Sequence, residues 1–449
     1  MTTLPAQKPC VPVVAVYNNL EVACNFLQRA GDPSFIETRR YRGDRALFWL
    51  GDPKLVFTTA PIPHAQTICH RWGYSDTRAV APVRSTQQLS LDILREPALL
   101  DQLVAYAGPQ RALQLVPYAT TPEFLHLAEV LRTEHHLTVH LPESPAPDAR
   151  WLRDYIGTKA GFHALVPTWI AGPNMLSTAV ICTCLAQAVE VIAWFNARGQ
   201  GCVVKSNDGE SGIGHEVFPA VQPAVTPAAT RERLDANPFL RNNVLVVERY
   251  VDATVHLSPS LELYVPPAGA GPPEVTYLSR QIFGAFGRFA GVMVSRTLLD
   301  APWYPRLEES GLAIAAHLQA LGYAGHFDLD TVIDDDGRLF LLEINARRTG
   351  GTHVHEFARH TLGADYIDQV TLLSDNGVDS AGIDDVDTLM HVLDDLLYPM
   401  QNAPRGVVIT VTSALAYRRF GCIIAAPSDN EALHLKCEML ERLRHSASA

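Results

Sequence analysis

Asp330, Glu343 and Asn345 fall within one short segment, DLDTVIDDDGRLFLLEINARRTGGT, residues 328–352. All three side chains offer hard oxygen, the donor type Mg²⁺ prefers, and Mg²⁺ held in this way usually keeps phosphate oxygens in its shell. The acids at 334–336 and Gly337 read as a tight turn between two apolar runs, so the segment is expected to form a β-hairpin. Side chains alternate faces along a strand. That alternation puts Glu343, Asn345 and Arg347 on one face and Leu342, Ile344 and Ala346 on the other. Asp328 shares the acidic face and is the alternative ligand. A carboxylate, an amide and a cation in a row are costly to bury without partners. These residues alone point to a Mg²⁺–nucleotide site.

A second stretch runs from Gly201 to Gly214, GCVVKSNDGESGIG. Its apolar strand delivers Lys205 into a loop carrying Gly209, Ser211, Gly212 and Gly214. Glycines let backbone amides approach a phosphate closely, and the lysine supplies a mobile cation. No Gly-Lys-Ser/Thr follows, so the loop is not a P-loop. Lys159 and Lys205 are two of only five lysines in a chain that otherwise uses arginine, a hint that compact charge is needed there. Gly-x-Ser-x-Gly is absent, which removes support for a serine hydrolase. His353 and His355 follow Gly350-Gly351 and read as structural or substrate-contacting groups rather than metal ligands.

Together these segments resemble the ATP-grasp carboxylate–amine ligases. That family carries an Asp and then Glu-x-Asn, followed by Arg and small glycines, matched here by Asp330 and LLEINARRTGG at 341–351. The resemblance implies ATP and two Mg²⁺ ions, with Asp330, Glu343 and Asn345 on the metals. It implies Lys159 and Lys205 on the phosphates, under the loop of Gly209, Ser211, Gly212 and Gly214. In VLVVERYVD, residues 244–252, it implies that Glu248, Tyr250 and Val251 form the adenine hinge. The acid that holds ribose in the family has no counterpart at Val255 or His256. Some relatives place an arginine two residues before the metal Asp, where this chain has Asp328. Arg347 or Arg288 is then the candidate for steadying the acyl-phosphate.

Within the family, the organisation is most similar to peptide ligases of peptide antibiotic biosynthesis, of the pheganomycin peptide ligase type. The implied reaction forms an amide (peptide) bond through an acyl-phosphate and releases ADP and phosphate. The acid would be an amino acid, including non-proteinogenic ones, and the amine an amino acid or peptide. A dipeptide-forming amino-acid ligase, another carboxylate–amine ligase and a non-catalytic ATP-binding regulator are the alternatives. A homodimer is the usual state of such ligases.

The elements that must position these residues follow from patterning. At 449 residues the chain has room for two or three cores. Apolar content of 47% and charged content of 19% suit a globular protein. A net charge of −12 without a basic block argues against a nucleic-acid partner. No apolar run reaches the length of a membrane span. The eight cysteines form no CxxC pair and nothing upstream resembles a signal peptide, so reduced thiols in a cytoplasmic protein are expected. Short apolar runs at 11–17, 46–50, 54–60, 112–119 and 137–141 alternate with helical stretches, one opening at Thr121-Pro122. They predict an open α/β domain over 1–147, ending in a proline-rich linker at 142–147. Residues 148–375 are expected to be the ATP-grasp core of two α+β lobes with antiparallel sheets. Residues 376–449 are expected to be a small α+β domain, whose last helix opens at the capping box of Ser428 and Glu431.

Overall fold

The computed structural model of the chain describes residues 11–22, 39–170, 175–209, 214–220, 226–241, 243–252, 257–284 and 288–448. It begins with a five-stranded parallel sheet in the order β3-β2-β1-β4-β5. The strands are β1 (Val13–Val16), β2 (Lys54–Phe57), β3 (Thr77–Val80), β4 (Ala112–Pro117) and β5 (Thr138–His140). Parallel strands are covered on both faces and read as continuous apolar runs, as VVAV does here. The helix Pro122–Thr133 starts as its sequence predicts: the Phe124 N–H donates to Thr121 Oγ1 at 3.1 Å.

The expected strand at 46–50 is instead the end of a 3₁₀ helix, Tyr41–Phe48. A short apolar run cannot by itself separate a strand from a buried helical turn. Here Leu47, Phe48 and Trp49 are buried in a core shared with Leu372, Val407 and Ile423 of the C-terminal strands, a packing that overrides local preference.

A small four-stranded antiparallel sheet follows, ordered β6-β9-β7-β8. It comprises β6 (Ala179–Cys182), β7 (Cys202–Ser206), β8 (His215–Phe218) and β9 (Leu245–Arg249), and the helix Leu185–Asn196 packs on it. The largest sheet has eight strands in the order β14-β13-β10-β11-β12-β15-β17-β16, with every neighbouring pair antiparallel. Its members are β10 (Pro259–Val265), β11 (Glu274–Phe283), β12 (Phe289–Val294), β13 (Gly325–Ile333), β14 (Leu339–Asn345), β15 (Thr371–Asp379), β16 (Gly406–Val411) and β17 (Arg419–Ala426). β15 pairs with β12 on one side and β17 on the other, so the C-terminal strands extend the sheet of the core. The boundary expected between 375 and 376 falls inside β15.

The helix Tyr304–Ala320 covers one face of the large sheet. Leu307, Ile314, Ala315 and Leu318 recur at helical spacing and pack with Leu261, Leu329 and Ile344. Gly311 permits that approach, because a Cβ there would lie 2.7 Å from Leu261 Cδ2. The last helix, Asp429–Ser448, opens with the Glu431 N–H donating to Ser428 Oγ at 3.3 Å. Cys69, Cys182, Cys202 and Cys422 are buried free thiols, while Cys10 and Cys24 lie outside the described residues. Among the described residues, no helix is long and apolar enough to cross a membrane.

The proline-rich segment is held fast by Arg348. That guanidinium is 1% exposed and donates to both carboxylate oxygens of Glu143, at 2.8 and 2.6 Å. It also pairs with Glu356 and lies 4.8 Å from the Trp49 ring centre. Removing one partner of a buried ion pair strands the others in low dielectric. Arg348→Met is therefore expected to cost about 3–5 kcal/mol of stability, read as a lowered urea midpoint. An unchanged midpoint would show that this junction carries no stability.

Candidate active site

Two cross-strand rows on the open face of the large sheet build the site. In the first, Glu343 pairs with Asp330, Asp330 with Ser260 and Ser260 with Ser279. In the second, Asn345 pairs with Asp328, Asp328 with Glu262 and Glu262 with Tyr277. The alternate residues Leu261, Leu278, Leu329 and Ile344 face the opposite way into the core. The hairpin turns as expected: Gly337 has φ +77°, and Asp334 Oδ1 accepts from the Asp336 and Arg338 N–H groups at 3.0 and 2.9 Å.

One detail corrects simple alternation. The register shifts between Asp330 and Thr331, whose partners are Glu343 and Leu341. Leu342 sits in this β-bulge and lines the cavity beside Glu343, whereas alternation puts it in the core. A bulge re-aims the side chains around it.

These rows floor a cavity of about 360 Å³ between the two sheets. Lys205, Glu248, Tyr250 and Val251 line the side formed by the small sheet, and Asp328, Asp330, Glu343, Asn345 and Arg347 the other. Lys159 starts the helix Lys159–Trp169, whose N-cap Thr158 accepts from the Gly161 N–H at 3.0 Å. Its backbone N–H donates to Asn207 O at 2.9 Å and its ammonium to Gly209 O at 3.3 Å, tying the helix to the small lobe. The same ammonium is ion-paired with Glu343 of the large sheet. Lys205 is ion-paired with Glu248, whose other oxygen lies 3.0 Å from His163 Nε2. Glu248 is thus a buried counter-ion, a contact that the hinge expectation does not include.

The electrostatics divide the acids. Burial alone raises a carboxylate, but Lys159 and Lys205 outweigh it and bring Glu343 down to about 2. Glu248 is likewise brought to about 2, burial being overcome by Lys205 and His163. Asp330 moves the other way, pushed up to about 7 by burial and by the charge of Glu343. Burial and the Asp330 charge push Asp328 well above the usual carboxylate range. Asp328 Oδ1 is buried without a hydrogen-bond partner among the described residues. Asp330 accepts from the Gln281 and Asn345 amides, the latter at 3.2 Å. Asn345 Oδ1 in turn accepts from Arg347 Nη2 at 3.0 Å.

Two facing carboxylates and an amide oxygen form a donor set of the kind Mg²⁺ accepts when phosphate oxygens complete its shell. Among the described residues, no group of three or more His, Cys, Asp or Glu could hold a metal by itself. His353 is fully buried, and His355 Nδ1 lies 2.9 Å from the Tyr366 hydroxyl, so neither joins the cavity wall.

The remaining expected positions scatter. Gly209 and Gly214 flank the loop between β7 and β8, and Gly214 has φ +82°. Ser211 and Gly212 lie outside the described residues. Arg288 is exposed at the β11–β12 connection and is not part of the cavity lining, whereas Arg347 is. Sequence reading missed Arg42, Arg45 and Tyr118, which line the cavity from the N-terminal domain, and His215 from β8. The three-residue spacing of Arg39, Arg42 and Arg45 is the signal that could have revealed the arginines, had the segment been read as a 3₁₀ turn.

The sequence matches no family model and no curated protein. Solved structures, by contrast, match over nearly the whole chain. The biotin carboxylase of Campylobacter jejuni superposes with a TM-score of 0.59 at 11% identity, covering 98% of this chain and 96% of that one. The biotin carboxylase domain of the Hydrogenobacter thermophilus 2-oxoglutarate carboxylase, in complex with MgADP, ADP and bicarbonate, gives 0.56 at 15% identity over 96% of this chain and 89% of that one. N5-carboxyaminoimidazole synthetase from Staphylococcus aureus, complexed with ADP, gives 0.55 at 10% identity over 96% and 98%. An α/β domain of parallel strands, a small antiparallel lobe and a large antiparallel sheet are thus arranged here in the fold of those enzymes.

Proposed function

We propose that the cavity is the active site of an ATP-dependent carboxylate–amine ligase, working through an acyl-phosphate and releasing ADP and phosphate. The observation that carries this reading is the convergence of Asp330, Glu343, Asn345 and Lys205 around one cavity between two lobes, with Lys159 ion-paired to Glu343 behind its wall. The unpartnered Asp328 oxygen and the raised Asp330 carboxyl mark a floor with surplus negative potential. Such a floor fits Mg²⁺, held by Asp330, Glu343 and Asn345. When bound, Mg²⁺ supplies charge neutralisation of the phosphates.

Phosphoryl transfer asks the protein for alignment and positive charge more than for covalent chemistry. Lys159 and Lys205 can exchange their carboxylate partners for phosphate oxygens, since a lysine is a compact charge on a flexible stem. Tyr250 and Val251 form the wall against which a base would rest. Arg347, held by Asn345 and lying 5.4 Å from the Tyr118 ring centre, is placed to steady the charge on an acyl-phosphate. Holding amine and acyl group together can supply an effective molarity of about 10⁵ M or more.

The finer reading, an amino-acid donor and an amino-acid or peptide acceptor in a peptide ligase of antibiotic biosynthesis, rests on the motif resemblance. A second reading takes bicarbonate as the acid, favoured by the fold likeness to a carboxylase domain that was solved with that anion. A panel of acids and amines, with bicarbonate as one arm, separates the two by ADP release and product mass.

Two outcomes test the site. Glu343→Gln is expected to lower substrate-dependent ADP release by roughly 10²-fold or more while the protein stays folded. Undiminished turnover would refute the metal assignment. Because burial and the charge of Glu343 push the Asp330 carboxyl up to about 7, Mg²⁺ binding there is expected to displace a proton. Mg²⁺ affinity of the nucleotide-free protein, measured by calorimetry, should rise from about pH 6 to about pH 8 with proton release. A flat profile would remove Asp330 from the ligand set.

A further inference from the structure

A second recess lies beside the cavity on the side of the N-terminal domain, and its charge is of the opposite sign. Arg39, Arg42 and Arg45 lead into and along the 3₁₀ helix Tyr41–Phe48. With three residues per turn, Arg42 and Arg45 eclipse on this helix, and Arg39 precedes it on the approach to the same pocket. They line a side pocket of about 20 Å³ together with Arg347, Asn19 and Tyr118. Arg42, Arg45, Tyr118 and Arg347 also line the main cavity, so the two spaces share a wall.

None of the described lining residues is acidic. The one acid on the same helix, Asp44, turns away and accepts from the Thr412 and Ser413 N–H groups at 2.8 and 3.0 Å. Arg45 is 5% exposed, and among the described residues its guanidinium has no hydrogen bond or ion pair; its Nε is fully buried without a partner. Its Nη1 lies 3.6 Å from where a Cβ on Gly350 would stand, which brings it to the turn that follows the metal hairpin. A buried guanidinium without a counter-ion is costly, and its planar fork matches a carboxylate.

We propose that this pocket binds a non-reacting carboxylate of the substrate. The substrate class is thereby an amine or acid with a second, free carboxylate, as in an α-amino acid or the C-terminus of a peptide. The pocket admits only a small head group, which favours carboxylate over a phosphate ester. This inference rests on the ligase reading, because that reading places the reacting groups next door.

The test titrates the full chain with acetate and, separately, with inorganic phosphate, at constant ionic strength against chloride. Acetate is expected to bind the unaltered protein and to bind at least about tenfold more weakly to Arg45→Gln and to the half-buried Arg42→Gln. The second variant stands in if loss of Arg45 prevents folding. Three results would overturn the proposal: no binding above the chloride control, equal acetate affinity in the variants, or phosphate bound in clear preference to acetate. MgATP binding is measured on the same samples. Its absence from the unaltered protein sinks the ligase reading, whereas intact MgATP binding without an arginine-dependent acetate site sinks only this inference.

Discussion

A carboxylate taken out of water must be answered by a cation, a donor or a proton, and the large sheet buries four of them on one face. Each is answered differently. Glu343 has Lys159. Glu262 has His326 Nδ1 at 3.1 Å and the hydroxyls of Thr349 and Thr352 at 2.8 and 2.7 Å, which overcome its burial and hold it below its ordinary value. Asp330 has two amides, and Asp328 has Ser260 at a long 3.4 Å. The first two acids stay charged at neutral pH, while the last two are pushed toward the proton. The unequal pair, not the acid count, distinguishes this surface electrostatically.

That imbalance explains why distant segments must meet here. Lys159 belongs to the helix that packs on the large sheet through Phe162 and Val166, yet its backbone and ammonium bond to the small lobe. Lys159 therefore joins the two lobes while neutralising Glu343, beside the Ala160 N–H that donates to Asn207 Oδ1 at 2.9 Å. On the far side, Arg348 clamps Glu143 and Glu356, so that the N-terminal domain presents Tyr118, Arg42 and Arg45 to the same cavity. Packing supplies the rest, and Gly311 and the bulge at Leu342 are the places where ordinary periodicity gives way to it.

What could be read from sequence was whatever depends on near neighbours. The hairpin, its acidic face and the turn at Gly337 follow from alternation and turn chemistry over residues 328–345. The parallel sheet follows from apolar runs between helices, and Thr121 marks its own helix start. Features set by distant partners were hidden. ALFWL reads as a strand until Leu372 and Ile423 are known to lie against it. Leu342 reads as core because a single-residue bulge leaves no mark in an apolar strand. Glu248 reads as part of a hinge because nothing in VLVVERY reveals that Lys205 and His163 converge on it.

Asp328, two residues before Asp330 on the same face, has a consequence across the cavity. Burial and the charge of Asp330 beside it push Asp328 well above the usual carboxylate range, while burial and Glu343 raise Asp330. The cation that lowers both acids is Arg347, bonded to Asn345. Arg347 in turn rests on Tyr118 beside the arginine-lined pocket. Arg42, Arg45 and Arg347 make the border of the sheet with the N-terminal domain a cationic side of the cavity. A substrate bound here would lie between an acidic floor and a basic wall, with its anionic group directed away from the hairpin. On the proposed reading, discrimination by charge would belong to the N-terminal domain and activation to the sheet.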